Sequence, residues 1–281
     1  MQVCETVSSL RKTVEKWRAS GLRVGFVPTM GNLHKGHLSL VKLAQDSCDR
    51  VVVSIFVNPL QFGPDEDFER YPRTFVNDQH KLIASNTDCL FYPHLDEMYP
   101  NGMGQTLVQV PGQITSILEG AARPGHFDGV TTVVNKLFNM VQPDIAVFGR
   151  KDYQQLMVIK KMVYDLALPI NVIAAPIERD HDGLALSSRN QYLDKQQRQI
   201  APKLHTVLQD LKVKIHAGNN DHKKLCLTAT KRLLCEGFDK VDYIQVCHAE
   251  TLLPVNDGSA PLVILAVVRL GKTRLLDNIL L

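Results

Sequence analysis

The chain has 281 residues, 44% hydrophobic and 22% charged, and its 32 basic and 29 acidic residues leave a net charge of +3. This is enough for one large domain or two smaller ones. The charges are dispersed and aromatic residues do not alternate with basic ones, which argues against a nucleic-acid partner. We find no apolar run long enough to span a membrane and no signal-peptide pattern, so we expect a cytoplasmic protein without a membrane partner.

The six cysteines are far apart and form no Cys-x-x-Cys pair. A metal site built from thiolates is therefore not expected. None of the cysteines lies in a nucleophile motif, so we interpret them as small, mostly buried hydrophobic residues in a reducing compartment.

Short β-branched segments alternate with helical patterns between residues 22 and 176. Continuous apolar strands separated by helices are typical of an α/β fold with a doubly wound parallel, Rossmann-like sheet. We assign residues 1–177 to this domain. The predicted strands are Arg23–Val27, Val51–Val57, Asp88–Tyr92, Ile145–Phe148 and Ile170–Ala174, and the predicted helices are Ser39–Asp46, Phe75–Ser85, Gly129–Val141 and Tyr153–Leu166.

The pattern changes after Asn190, and we assign residues 178–281 to a smaller C-terminal α+β domain. Two helices are predicted first, and two strands follow them. The helices are Gln191–Ala217 and His222–Gly237, and the strands are Val241–Cys247 and Leu262–Leu270, joined through Pro254, Asn256, Asp257 and Gly258.

The first predicted strand leads into a glycine-punctuated turn, Pro28–His37, that contains two histidines and precedes a predicted helix. A helix N-terminus carries a partial positive charge that favours phosphate. We therefore expect backbone N–H groups and two imidazoles to face one anion. The turn is not a Walker loop, because His37-Leu38 stands where Lys-Ser/Thr would follow the second glycine.

Polar clusters follow three of the predicted strands. His34 and His37 follow the first, Asn58–Phe62 the second, and Gly149–Asp152 the fourth. Parallel strands of an open sheet bring such loops together at their carboxyl ends, where ligands bind. The sequence therefore predicts a binding site at this edge.

Six stretches, in order across nearly the whole chain, resemble the pantothenate synthetase (pantoate–β-alanine ligase) family, whose His-x-Gly-His signature is shared with nucleotidyl transferases and class I synthetases. The resemblance implies an enzyme that condenses pantoate with β-alanine, using ATP and Mg²⁺, through a pantoyl-adenylate. The products are pantothenate, AMP and pyrophosphate, and the resemblance also implies a homodimer. The stretches are Pro28–His37, Phe56–Phe62, Tyr71–Thr74, Arg123–Val130, Phe148–Gln155 and Asp182–Asn190.

The resemblance also implies roles for individual residues. Gln61 and Gln155 are expected to bind pantoate, and Gln61 also β-alanine. The expected catalytic residues are His34, His37, Lys151, Ser187 and Arg189. The expected ATP-binding residues are Met30, Gly31, Asn32, Leu33, His34, Lys35, Gly36, His37, Gly149, Arg150, Lys151, Asp152, Glu178, Leu186, Ser187, Ser188 and Arg189.

These residue types suit the chemistry. A carboxylate that attacks the α-phosphate of ATP builds negative charge on phosphate oxygens, so positioning and electrostatic stabilisation dominate. Lys151 offers a mobile point charge and Arg189 a planar fork. The amides of Gln61 and Gln155 can read hydroxyl or carboxylate groups without adding charge.

Three positions carry open alternatives. Arg150 stands where the family usually has glutamate, and this second cation beside Lys151 bears on ATP affinity. Arg123 either serves the phosphates or pairs with Asp128 or Glu119. Asp152 either orients the ribose and nearby amides or caps a helix.

Two other functions compete with the ligase. An adenylyltransferase would move AMP onto a phosphate acceptor and would need further basic residues, but Gln61 and Gln155 occupy the expected acceptor region. A nucleotide-binding regulator without catalysis would not need His34, His37 and Lys151 together. We therefore favour the ligase.

Overall fold

The structure is a computed structural model that describes residues 1–64, 66–255 and 261–281. The predicted connection through Asn256, Asp257 and Gly258 lies outside the described residues. The chain divides into two compact units, Met1–Arg150 with Val158–Ala175, and Lys151–Met157 with Pro176–Leu281. The short segment Lys151–Met157 is thus grouped with the C-terminal part of the chain.

The first unit contains a six-stranded parallel sheet, and the predicted doubly wound α/β fold is confirmed. The strand order is β1-β4-β3-β2-β5-β6. The strands are β1 Gln2–Cys4, β2 Val24–Thr29, β3 Arg50–Ile55, β4 Cys89–Phe91, β5 Ile145–Gly149 and β6 Asn171–Ala175. The helices are α1 Val7–Ala19, α2 Lys35–Ser47, α3 Phe75–Ala84, α4 Leu95–Met98, α5 Glu119–Ala122, α6 His126–Val141 and α7 Tyr153–Asp165, of which α7 runs through both units.

Both faces of the sheet are covered, which explains why its central strands are continuously apolar. Successive strand residues point to opposite faces. Phe26 of β2 packs edge-on against Phe138 of α6, with ring centroids 6.3 Å apart. The next residue, Val27, belongs to a buried cluster with Val41 of α2 on the other face.

The strand order reverses around β2, because β3 lies on one side of it and β5 on the other. Such a switch point leaves a crevice outside the carboxyl ends of the strands. Here the crevice is bordered by the ends of β2 at Thr29 and β5 at Gly149. A Cβ at Gly149 would lie 3.9 Å from Leu40 of α2, so the end of β5 is beside the helix that follows the histidine turn.

The second unit contains a three-stranded antiparallel sheet of order β7-β8-β9. The predicted helix Gln191–Ala217 is two helices, because Pro202 interrupts it. The third strand, β9, was not predicted. The elements are α8 Lys195–Ile200, α9 Lys203–His216, α10 His222–Cys235, β7 Lys240–His248, β8 Leu262–Leu270 and β9 Thr273–Leu280.

No helix in the described residues combines the length and apolar character needed to cross a bilayer.

Candidate active site

The turn between β2 and α2 depends on a left-handed backbone. Gly31 has φ +84° and Asn32 has φ +49°. Glycine adopts such a φ at little cost, and asparagine is among the residues that tolerate it. A Cβ at Gly31 would also lie 3.1 Å from Ile55 and 3.2 Å from a carboxylate oxygen of Asp78. Conformation and space therefore both call for glycine at position 31.

The two histidines of the turn cap α2 reciprocally. His34 Nδ1 accepts a hydrogen bond from the Gly36 amide at 3.2 Å, and His37 Nδ1 accepts one from the His34 amide at 3.3 Å. The ring centroids are 4.1 Å apart. Because each Nδ1 uses its lone pair as an acceptor, each neutral ring carries its proton on Nε2. Each ring can thus donate a hydrogen bond through its Nε2–H group while it remains uncharged.

Asp78 of α3 fixes the backbone of the turn. Its buried carboxylate accepts hydrogen bonds from the amides of Asn32 at 2.8 Å and Leu33 at 2.7 Å, and from the Thr74 hydroxyl at 3.0 Å. Lys81 of the same helix donates to the Leu33 carbonyl at 2.6 Å. Asp78 could not be identified from the sequence, since a contact between residues 46 positions apart leaves no local signal.

These contacts correct the expectation that backbone amides of the turn face an anion. The amides of Asn32 and Leu33 donate to Asp78, and the Gly31 amide donates to Thr29 Oγ1 at 3.2 Å. The amides of residues 34, 36 and 37 are used within the histidine cap. Of the groups that we expected to face an anion, these amides are thus occupied within the protein, and the two imidazoles are the groups left to that expectation.

Gln61 lies beside the turn. Its Nε2 is 3.1 Å from Met30 Sδ, and its Oε1 accepts a hydrogen bond from Asn58 Nδ2 at 3.2 Å. The buried Asn58 also donates to the Gly129 carbonyl and accepts from Tyr99 Oη at 2.6 Å. Burial raises the pKa of Tyr99 to about 12, so its hydroxyl stays protonated as a donor. Asn58 and Tyr99 thus hold the Gln61 amide in one orientation.

Helix α6 approaches the Gln61 segment closely at Gly129. A Cβ at this position would lie 2.2 Å from the Leu60 carbonyl oxygen and 2.7 Å from the Gln61 amide nitrogen. Both atoms belong to the backbone and cannot rotate away. The Leu60–Gln61 backbone can therefore pack this closely on α6 only because Gly129 has no side chain.

Arg123 and His126 support the same segment. Arg123 pairs with Glu66 through two hydrogen bonds of 2.6 and 2.5 Å, and also donates to the Gln61 carbonyl at 3.2 Å. Its distance to Glu119 is 4.0 Å. Of the two expected roles, ion pairing is thus the one observed, and its main partner is Glu66 rather than Asp128 or Glu119.

His126 is buried and its two ring nitrogens have different partners. Nδ1 is 2.8 Å from the Gln61 carbonyl, which can only accept, and Nε2 is 2.8 Å from a guanidinium nitrogen of Arg123, which can only donate. The ring is therefore neutral with its proton on Nδ1. Burial, followed by the charge of Arg123, lowers the pKa of His126 to about 4.

The second unit contains the other expected catalytic residues. Lys151 and Ser187 line one small cavity together with Asn190, His205 and Asp277. Lys151 Nζ is 3.4 Å from Asp152 Oδ1, so Asp152 forms an ion pair with the lysine. Ser187 caps the short 3-10 turn Ser188–Tyr192, and its Oγ accepts a hydrogen bond from the Arg189 amide at 3.3 Å.

The remaining expected residues differ in exposure. Lys35 and Glu178 are exposed, whereas Arg150, Gln155, Leu186 and Ser188 are half-buried. The Glu178 carbonyl accepts a hydrogen bond from the Leu186 amide at 2.9 Å, which closes the base of the loop that carries Ser187 and Arg189.

A resident Mg²⁺ would require oxygen ligands in octahedral geometry. The described residues contain one group of three potential metal ligands, Asp180, His181 and Asp182. Arg198 donates to both carboxylates, and the imidazole is a poor magnesium ligand. Asp78, beside the turn, is already used by two amides. Neither Asp78 nor the Asp180–Asp182 group therefore fits a magnesium site made of protein carboxylates.

Known proteins resemble the chain over its full length. A family model described as Pantoate-beta-alanine ligase matches residues 2–280. A pantothenate synthetase of Hydrogenovibrio crunogenus is 60% identical over 280 residues, covering 100% of this chain and 99% of the relative. The crystal structure of pantothenate synthetase from Thermus thermophilus matches with a TM-score of 0.93 at 45% identity, covering 99% of both chains.

A further solved relative is a pantoate-beta-alanine ligase from Francisella tularensis, complexed with beta-gamma ATP and beta-alanine. It matches with a TM-score of 0.85 at 35% identity, covering 100% of this chain and 97% of its own.

Fold and comparisons together define an enzyme of the ligase class built on a doubly wound α/β sheet. The chain belongs to the pantoate–β-alanine ligase family, whose reaction joins pantoate to β-alanine. The comparisons support this function and not the adenylyltransferase alternative.

Proposed function

We propose that this ligase acts in two steps through a pantoyl-adenylate. The pantoate carboxylate attacks the α-phosphate of ATP and pyrophosphate leaves. The neutral amine of β-alanine then attacks the acyl carbon, losing a proton as AMP leaves and pantothenate forms. The observation that carries this proposal is the capped pair His34 and His37, in which both Nδ1 atoms accept backbone hydrogen bonds and the proton of each neutral ring is therefore on Nε2. We propose that these Nε2–H groups donate to phosphate oxygens of ATP.

The first step concentrates negative charge on the α-phosphate and on the leaving pyrophosphate, so preset donors and cations lower its barrier. We assign this work to His34 and His37, together with Lys151, Ser187 and Arg189. The shared cavity of Lys151 and Ser187 supports their joint role. Because no covalent enzyme intermediate is needed, no activated nucleophile has to be present.

We propose the remaining ATP contacts for the same loops. At Asn32, Leu33 and Gly36 we propose van der Waals contact with ATP, since their amides already donate hydrogen bonds within the protein. For Glu178 we propose a contact through its backbone. The full set is Met30, Gly31, Asn32, Leu33, His34, Lys35, Gly36, His37, Gly149, Arg150, Lys151, Asp152, Glu178, Leu186, Ser187, Ser188 and Arg189.

We assign pantoate binding to Gln61 and Gln155, and β-alanine binding to Gln61. An amide can donate to a carboxylate and accept from a hydroxyl, which matches a small hydroxy acid. The hydrogen bond from Asn58 to Gln61 Oε1 presets the amide, and its NH₂ group, which donates one hydrogen to Met30 Sδ, has a second hydrogen for the substrate. The complex of the Francisella tularensis relative with beta-gamma ATP and beta-alanine supports β-alanine as one of these two substrates.

Mg²⁺ enters this proposal as part of the ATP complex, held mainly by phosphates and water. Asp78 and the Asp180–Asp182 cluster are both engaged by other groups, which supports this assignment. We also propose a homodimer and a cytoplasmic location. Tyr164, 85% exposed on α7, is a large side chain on the surface at which a dimer contact would be sought.

The test is to incubate the protein with ATP, Mg²⁺ and pantoate, and then to add β-alanine. The proposal predicts pantoate-dependent release of pyrophosphate, followed by β-alanine-dependent formation of AMP and pantothenate. Pyrophosphate release that ignores pantoate, or that requires a phosphorylated acceptor instead, would reject it.

A further inference from the structure

Strand β9 carries two consecutive polar residues that are both buried. Asp277 and Asn278 are 4% and 5% exposed. Successive side chains of a strand point to opposite faces, so β9 directs one polar group to each face. Buried polar groups are costly unless they are hydrogen-bonded, which raises the question of what each one holds.

Asn278 holds the backbone at Lys151. Its Nδ2 donates a hydrogen bond to the Lys151 carbonyl at 3.0 Å. Lys151 lies in the 3-10 turn Arg150–Asp152, directly before α7. A lysine side chain is flexible, so the point from which it starts determines the volume that its ammonium group can reach.

Asp277 holds the base of the loop that carries Ser187 and Arg189. Its carboxylate accepts two hydrogen bonds from Arg179, both of 2.7 Å. Arg179 also donates to the Gly183 carbonyl at 3.0 Å. An arginine–carboxylate pair with two parallel bonds fixes orientation as well as distance. Burial would raise the pKa of Asp277, but the neighbouring His205, whose Nδ1 is 3.5 Å from the carboxylate, and the hydrogen bonds from Arg179 hold it below its ordinary value, so the carboxylate stays ionised.

Arg179 is connected to the Ser187–Arg189 loop by direct backbone contacts. Arg179 forms an antiparallel bridge with Ala185, and the Leu186 amide donates to the Glu178 carbonyl at 2.9 Å. Farther along, Asn190 Nδ2 donates to the Ala185 carbonyl at 3.0 Å. The loop containing Ser187 and Arg189 is therefore closed at both ends on the isolated Arg179–Ala185 bridge, which Asp277 anchors through Arg179.

We propose that Asp277 and Asn278 are positioning residues of the ligase reaction, Asn278 for Lys151 and Asp277, through Arg179, for the Ser187–Arg189 loop. This rests on the roles proposed above for Lys151 and Arg189. Lys151, Ser187 and Asp277 line the same small cavity, which gives one strand access to both loops. Neither β9 residue acts on the substrate itself.

The test for Asn278 is a double-mutant cycle with Asn278→Ala, Lys151→Ala and the double variant, measured as kcat for pantothenate formation. We expect Asn278→Ala to lower kcat about tenfold, and Lys151→Ala to lower it about 10²- to 10³-fold. The double variant should match Lys151→Ala, because a misplaced lysine no longer matters once it is removed. Asn220→Ala, at an exposed asparagine of the same unit, is the matched control.

Losses that multiply in the double variant would overturn the positioning role of Asn278 and leave Lys151 catalytic. Near-normal kcat in Lys151→Ala alone would overturn the proposed role of Lys151, and the role of Asn278 with it. A general structural defect would lower kcat by the same factor in an Arg189→Ala background and in a Lys151→Ala background. Positioning instead predicts a tenfold loss only where Lys151 is present.

For Asp277, the matching cycle pairs Asp277→Asn with Arg189→Ala, and urea unfolding reports whether each variant is folded. If Asp277→Asn does not fold, Arg179→Lys replaces it, since lysine keeps the charge but loses the fork. We expect about a tenfold loss of kcat alone and a clearly smaller loss in the Arg189→Ala background, where only the placement of Ser187 still matters. Full activity of the folded variant, or losses that multiply, would overturn the role of Asp277.

Discussion

The ring centroids of His34 and His37 are 4.1 Å apart, and the Nδ1 atom of each ring accepts a hydrogen bond from a backbone amide of the same turn. This arrangement caps helix α2 and at the same time defines the tautomer of both rings. In both rings Nδ1 therefore stabilises the turn, and Nε2–H is the donor that we propose for the chemistry.

The first prediction concerns His37. Replacing it with alanine removes one preset phosphate donor, and we expect kcat to fall by about two to three powers of ten. Steady-state kinetics of pantothenate formation measures the effect. His80→Ala, at an exposed histidine of α3, is the control and should keep normal turnover. Normal turnover in both variants would remove His37 from the mechanism.

The second prediction concerns Asp78, which holds the amides of Asn32 and Leu33. Asp78→Asn keeps the shape but replaces one acceptor oxygen with an NH₂ group that faces a donor. We expect a loss of about 1–3 kcal/mol in the free energy of unfolding, measured in urea, and a higher KM for ATP.

The matched control for Asp78 is Asp46→Asn, which breaks an exposed ion pair with Lys42. Exposed pairs contribute roughly 0–1 kcal/mol, so this variant should be nearly unchanged. Equal stability of both variants would contradict the role of Asp78 in the turn.

The third prediction is a pH dependence that originates at His126. Its pKa falls from 6.5 to about 4 on folding, so between these values the unfolded chain binds the proton and the folded chain does not. Stability must therefore decrease as the pH falls. Between pH 7 and pH 5 we expect a loss of about 2 kcal/mol from this group.

Urea unfolding at pH 7, 6 and 5 tests this prediction, above the range where most carboxylates titrate. His126→Asn cannot titrate there, and its amide can still donate to the Gln61 carbonyl. The variant should lose about 2 kcal/mol less than the wild type over the same interval. His80→Asn should behave like the wild type, and an equally steep decrease in His126→Asn would contradict the assignment.

The fourth prediction concerns Gln155. Gln155→Glu places a negative charge where we propose that the pantoate carboxylate binds. We expect the KM for pantoate to rise at least about tenfold, with a smaller change in the KM for ATP. Gln199→Glu, at an exposed position of α8, adds the same charge elsewhere and is the control. Equal shifts for both substrates would argue against a specific pantoate contact.

The sequence predicted the sheet well because buried parallel strands are continuously apolar. β2 to β6 were each found within about two residues at either end. β9 was not predicted, because Arg274, Asp277 and Asn278 interrupt its apolar pattern. Helix α1 was also missed, since its buried residues are only Leu10, Thr13 and Val14.

The candidate site was predictable where a motif is contiguous in sequence, as at His34–His37. The residues that hold the motif were not, because Asp78, His126 and Asp277 act through contacts between distant segments. That the turn amides donate their hydrogen bonds within the protein was also not predicted, since no local pattern reveals that a distant carboxylate accepts them. The predicted roles of the site residues remain predictions.

The close packing at Gly129 has a consequence for how this protein can vary. With 2.2 Å between a hypothetical Cβ and the Leu60 carbonyl oxygen, even a methyl group would displace the segment that carries Gln61. Saturation mutagenesis of codon 129 under selection for growth without added pantothenate should therefore recover glycine alone.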